Sequence, residues 1–122
     1  MSSSLAGELV MRCFHARTTA HVLHLKSLSY AKHVALNEFY DDIIPLADSF
    51  AEKYQGKYGL IDYPVMRYAP EPDGITLMEN LADWLSENRY KVCEKTETFL
   101  QNIIDEIVEQ VYETKYKLTF LK

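Results

Sequence analysis

The stretch QGKYGLIDYPVMRYAPEPDG, residues 55–74, holds six of the chain's eight glycines and prolines: Gly56, Gly59, Pro64, Pro70, Pro72 and Gly74. No apolar period of two or 3.6 survives across it, so it reads as a connection, with room for a short helix. Twenty extended residues span on the order of 60 Å, enough to run the length of a helical bundle. Connections this long are uncommon unless they do such a job. On its N-terminal side, Leu36, Phe39, Ile43, Leu46, Ala47, Phe50 and Tyr54 recur at intervals of three and four and predict a helix over Tyr30–Tyr54, with Ser29 as N-cap. Before that, Leu5 to about Lys26 carries Leu9, Phe14, Ala20, Leu23 and Leu25 among helix formers and predicts a first helix. On the C-terminal side, Thr76 with Glu79 reads as a capping box opening a third helix, which ends near Val92. A last helix starts near Thr96 or Thr98 and carries Leu100, Ile103, Ile104, Ile107, Val108, Val111 and Leu118; only the terminal KLTFLK competes as a short strand.

Two helices, one long connection and two more helices predict an all-α, ferritin-like four-helix bundle with a long crossover between the second and third helices, not the simple up-down form. The whole chain, 1–122, reads as one domain, since 122 residues with 25% charged and 48% hydrophobic content match one compact core. A formal net charge of −5 disfavours a polyphosphate partner, so direct DNA binding is not expected. Arg12 and Arg17 are the only cations before Lys26, so no basic arm is expected either. Two cysteines far apart, Cys13 and Cys93, fit free thiols in a reducing compartment; with no signal peptide and no run of eighteen apolar residues, the chain reads as cytoplasmic with no membrane partner.

The chemistry lies on the second helix. At about 100° per residue from His33, Asn37, Asp41, Asp48 and Glu52 fall within one edge roughly 100° wide. His21 and His24, three apart at the end of the first helix, fold back toward His33 across a short turn. His33 and Asp48 lie roughly 22 Å apart along one helix, too far to share an ion. Two copies of this helix packed antiparallel about a twofold axis near Tyr40 and Asp41 bring residue 33 of one chain level with residues 48 and 52 of its mate. Such a site mixes imidazole and carboxylate, which suits iron, manganese or zinc. His15 and His24 read as structural or exposed, and Phe39, Tyr40 and Trp84 as core or interface. There is no G-x-S-x-G, P-loop, H-E-x-x-H or E-x-x-H motif, so a di-iron centre inside one bundle is not expected.

The stretch His21–Lys53, HVLHLKSLSYAKHVALNEFYDDIIPLADSFAEK, resembles the iron-binding region of the Dps family, the mini-ferritins. In that family a histidine closing the first helix is followed twelve residues later by a second, then by an aromatic, an Asp, and a Glu four residues on that precedes a basic residue. Here these are His21, His33, Tyr40, Asp48, Glu52 and Lys53. The resemblance implies a ferroxidase-type iron site (Fe2+/Fe3+) in which His21 and His33 come from one subunit and Asp48 and Glu52 from its twofold mate, within a homo-oligomer that is at least a dimer and in the family a dodecamer. The chain departs from the family at Val22, where a Trp is usual, at Asn37, a weaker ligand in place of an Asp, and at Pro45 in mid-helix. The alternative is a ferritin-like interaction protein, of an accessory or phage-encoded kind, with a vestigial metal site and a protein partner. Tyr54, Tyr58, Tyr63 and Tyr68 around the crossover supply the contact surface for that reading.

Overall fold

The computed structural model describes residues 3–122, which form four helices and no strand: α1 (Ser3–Lys26), α2 (Tyr30–Tyr58), α3 (Gly74–Val92) and α4 (Thr98–Phe120). The turn between α1 and α2 is three residues long and closed by its serines. The Ser27 hydroxyl donates to the Ser29 carbonyl and accepts from the Ser29 N–H, while the Ser29 hydroxyl accepts from Lys32 N–H as the N-cap. The two helices are therefore antiparallel and pack along their lengths.

α2 does not stop at Tyr54. It continues one turn through Gly56 to Tyr58 and ends where Gly59, at φ +90°, donates its N–H to the Gln55 carbonyl. A left-handed residue at a helix end is natural for glycine, which has no Cβ to clash. Pro45 does not break the helix either: α2 runs through it, with Pro45 on the solvent side. Water can reach the Asp41 carbonyl that loses its donor there.

The crossover is correspondingly shorter than the glycines and prolines imply, residues 59–73, and contains no helix. It climbs α1. A Cβ on Gly7 would meet the Asp62 carbonyl oxygen at 2.7 Å and Pro64 Cδ at 2.8 Å, so strap and helix touch backbone to backbone there. Two turns further along, the Tyr68 ring stacks on His15 at 4.2 Å, Glu71 bonds His15 Nε2 at 3.1 Å, and the Arg12 guanidinium lies within reach of both the Tyr68 and Trp84 rings. Of the two roles open to it from sequence, structural or exposed, His15 thus has the structural one. The strap ends at Asp73 beside the α1–α2 turn, where a cavity of about 460 Å3 is lined by Leu23, Ser27, Leu36, Asp73 and Leu118 among others.

The third helix is capped by Asp73, not Thr76. The Asp73 carboxylate accepts the Thr76 N–H at 2.8 Å, and Gly74 seats its backbone against Leu118. Because α3 starts at the same end as α2, the two run parallel, and α4 returns beside both. Contacts close a ring, α1–α2–α4–α3–α1, in which every neighbouring pair is antiparallel. The ring encloses Leu9, Phe39, Ile43, Phe50, Met78, Leu85, Leu100, Ile104 and Ile107, all fully buried. Burying each such side chain stabilises the fold by about 1.5–3 kcal/mol. Helix periodicity holds through KLTFLK as far as Phe120, so no strand forms there. No helix among the described residues is long and apolar enough to cross a membrane.

Candidate metal centre

The short α1–α2 turn fixes which residues face each other. The last turn of α1 leaves carbonyls without intrahelical donors, and the His24 carbonyl is one of them. It accepts from Ser27 N–H at 3.3 Å and from His33 Nδ1 at 2.9 Å. Reciprocally, His24 Nδ1 donates to the His33 carbonyl at 2.6 Å. A carbonyl only accepts, so both rings must carry their proton on Nδ1, and in the neutral ring the lone pair sits on Nε2. The two rings stack at 3.6 Å between centroids.

His21, one turn earlier, is not the ring partner of His33. It stacks on Tyr40 at 4.2 Å, while Tyr40 also meets His24 edge to face at 5.3 Å. His21, His24, His33 and Tyr40 thus form one cluster at the α1–α2 end, with His24 buried inside it at 7% exposure. From sequence, the turn brings the end of α1 toward His33 with His21 as the ligand partner, whereas in the structure it is His24 whose ring meets His33. The signal was present: a turn centred near Leu28 levels residues whose numbers sum to about 57, as 24 and 33 do.

Asn37 does not offer a free amide. Its Oδ1 accepts from the Tyr40 hydroxyl at 2.8 Å and its Nδ2 donates to Asp41 Oδ2 at 2.8 Å. The residue that reads as a weak ligand therefore braces Tyr40, which in turn carries His21.

Asp48 and Glu52 lie three and four turns further along α2, exposed on its solvent side. Neither carboxylate accepts a hydrogen bond or pairs with a cation among the described residues. Asp48 shares a shallow groove of about 290 Å3 with Phe14, Arg17, Thr18 and Ile44. Tyr63 is near enough that its hydroxyl, already pushed up by burial, is raised further by the Asp48 charge. Within one chain the imidazoles and these carboxylates stay apart. Among the described residues no group of three or more His, Cys, Asp or Glu side chains is arranged to hold a metal ion.

The donor set nevertheless fits a transition metal in kind. Metal-binding histidines characteristically donate the second ring N–H to a carbonyl, which fixes tautomer and orientation, and His33 has that support already built. Unpaired carboxylates are the harder, anionic ligands that would complete a mixed site.

Fold and surface define an all-α four-helix bundle whose chemically equipped face is the outer side of α1 and α2. By sequence the chain belongs to DUF5856, described as a family of unknown function, whose model matches residues 24–118. It is also similar to an uncharacterized 14.6 kDa protein of the mobD-ri intergenic region of Enterobacteria phage T4, at 27% identity over 120 residues, covering 95% of this chain and 89% of that protein. No solved structure matches the chain.

Proposed function

We propose that this protein is a ferritin-like, Dps-type iron-binding protein with ferroxidase activity, whose site is completed only when two protomers pack their α1–α2 faces about a twofold axis. The observation that carries this reading is the His33 ring: its Nδ1–H is held by a carbonyl, its Nε2 remains for a metal, and its position on α2 matches the unpaired Asp48 and Glu52 across a twofold near residues 40–42. The parallel α2 and α3, joined by a strap that runs the bundle's length, are the connectivity of the ferritin-like class and support it.

Fe2+ is the substrate in this reading. His21 and His33 of one protomer and Asp48 and Glu52 of the other bind it, and anionic oxygen ligands with imidazole favour Fe3+ over Fe2+. Each Fe2+ gives one electron to dioxygen or peroxide. Zinc and manganese suit the same donors, and zinc would occupy the site without turnover. The dimer is the unit that makes the site, and a closed dodecameric shell is the further assembly the family resemblance implies. Two buried free thiols suit a reducing, cytoplasmic setting.

One observation favours the second reading, an interaction protein on the same scaffold. Leu25, Leu28 and Tyr30 stand exposed around the α1–α2 turn, Leu28 completely so, and offer an apolar tip to a protein partner. Fe2+ binding and oxidation, measured on protein of known mass in solution, separates the two. The ferroxidase reading expects oxidation above the buffer control that is lost in His33→Ala and in Asp48→Ala while both variants stay folded. A folded oligomer that takes up no iron sinks that reading and leaves the interaction protein.

A further inference from the structure

We propose that the His24 side chain is the positioning residue of the site: its ring fixes the tilt of the His33 ring, whose tautomer the His24 backbone carbonyl sets, so that the His33 Nε2 can bind a metal. The inference rests on the reading of His33 as a ligand. An imidazole on a helix surface normally turns about two side-chain torsions, and its χ2 well is broad. His33 has two restraints on that freedom, and both come from His24. The first is the Nδ1–H bond to the His24 carbonyl at 2.9 Å, which fixes the in-plane direction of the ring. The second is the His24 ring itself, stacked at 3.6 Å with 20° between planes, which walls one face and fixes the tilt.

The wall is itself secured. The His24 ring donates Nδ1–H to the His33 carbonyl at 2.6 Å, is boxed by Tyr40 edge-on, and is almost wholly buried. The carbonyl bond belongs to the backbone and survives any substitution at residue 24, whereas the wall does not. Removing the His24 ring therefore frees the tilt of His33 and weakens a metal bond without deleting the ligand. This effect differs in kind from His33→Ala. Sub-ångström placement of first ligands is what such supporting groups provide, and their loss commonly costs about 10–100-fold in affinity.

The test uses Co2+ as a redox-stable probe, titrated into the full-length protein, alongside nitrogen-15 spectra of the histidine rings in metal-free protein. Wild-type protein should show His33 as the single Nδ1–H tautomer and bind Co2+. His24→Ala should weaken Co2+ by about 10–100-fold at unchanged oligomer mass and broaden the His33 ring signals. His24→Phe, which keeps an aromatic ring against the face of His33, should recover a large part of the affinity. His33→Ala should abolish binding. Equal Co2+ affinity in wild type and His24→Ala, with His33 signals unchanged, overturns the positioning role and leaves the metal reading standing. Wild-type protein that binds no Co2+ overturns both, so the wild-type titration alone tells the two failures apart. Should His24→Ala not fold, His24→Asn decides, since it keeps a donor to the His33 carbonyl but removes the ring: Co2+ affinity and His33 signals equal to wild type in that variant overturn the proposal.

Discussion

Lys57 Nζ lies 2.7 Å from Glu97 Oε2, so the last turn of α2 is tied to the N-cap residue of α4. The Tyr58 hydroxyl donates to the same oxygen, and Glu94 N–H donates to Glu97 Oε1 at 2.8 Å. This cluster explains why α2 outruns Gly56: its extra turn delivers Lys57 and Tyr58 to a buried carboxylate. Burial on its own would raise the Glu97 carboxyl. The hydrogen bonds from Lys57, Tyr58 and the Glu94 N–H together outweigh burial and hold it at about 2, against an ordinary 4.5. A carboxyl depressed in the folded state stabilises the fold above its unfolded value, and that contribution is lost as pH falls from about 4.5 toward about 2. Glu97→Gln is expected to lower the thermal midpoint by several degrees at neutral pH and to flatten the acid limb of a stability profile. Identical acid limbs in the two proteins would remove Glu97 from this role.

Gly7 and Gly56 should respond oppositely to alanine. At Gly7 the new methyl meets the strap's Asp62 carbonyl oxygen at 2.7 Å, and backbone cannot move aside cheaply. Despite alanine's better helix propensity, Gly7→Ala should destabilise by about 1–3 kcal/mol. Gly56 has nothing within 4 Å of its would-be Cβ, so Gly56→Ala should stabilise by about 0.5–1 kcal/mol. Urea denaturation of both variants checks the pair. A neutral Gly7→Ala would mean the strap does not sit on α1 at that point.

Pro45→Ala should restore the amide that can donate to the Asp41 carbonyl in mid-α2, at an exposed position. A stability gain of about 1 kcal/mol or more is expected, below the roughly 3 kcal/mol penalty of proline in a rigid helix because α2 already accommodates the ring. A loss of stability would show that the proline holds a bend the packing needs.

Neither thiol should react in the native state. Cys13 is completely buried and its thiol is pushed up to about 12 by that burial. Cys93 reaches about 11, raised by burial and then by Glu97 against a smaller opposing effect of Arg89. At pH 8 iodoacetamide should label both only as the protein unfolds, with rates that follow denaturant. Prompt labelling of either one without denaturant would contradict its burial.

The helices and the long connection were legible because apolar periodicity and glycine–proline punctuation are local signals. The ends were less so. Thr76 and Glu79 present a capping pattern, yet Asp73 caps α3 because Gly74 must reach Leu118, a contact from the far end of the chain. The same holds at Gly56, where a tertiary partner, Glu97, decides the helix length. In the site, spacing singled out His21, His33, Asp48 and Glu52, and the short turn levels His24 with His33, whereas the bracing role of Asn37 depends on side-chain hydrogen bonds that spacing does not encode.

The central claim is that two chains share each metal site, and mixing inactive chains tests it most directly. His33→Ala keeps its carboxylates, and Asp48→Ala keeps its histidines. When the two are unfolded together and refolded at equal amounts, about half of the dimers are mixed, and each mixed dimer regains one intact site of two. We predict recovery of about a quarter of wild-type Fe2+ oxidation from two variants that are each inactive alone. No recovery, with mixed dimers demonstrated by mass, would contradict a site shared across the twofold axis.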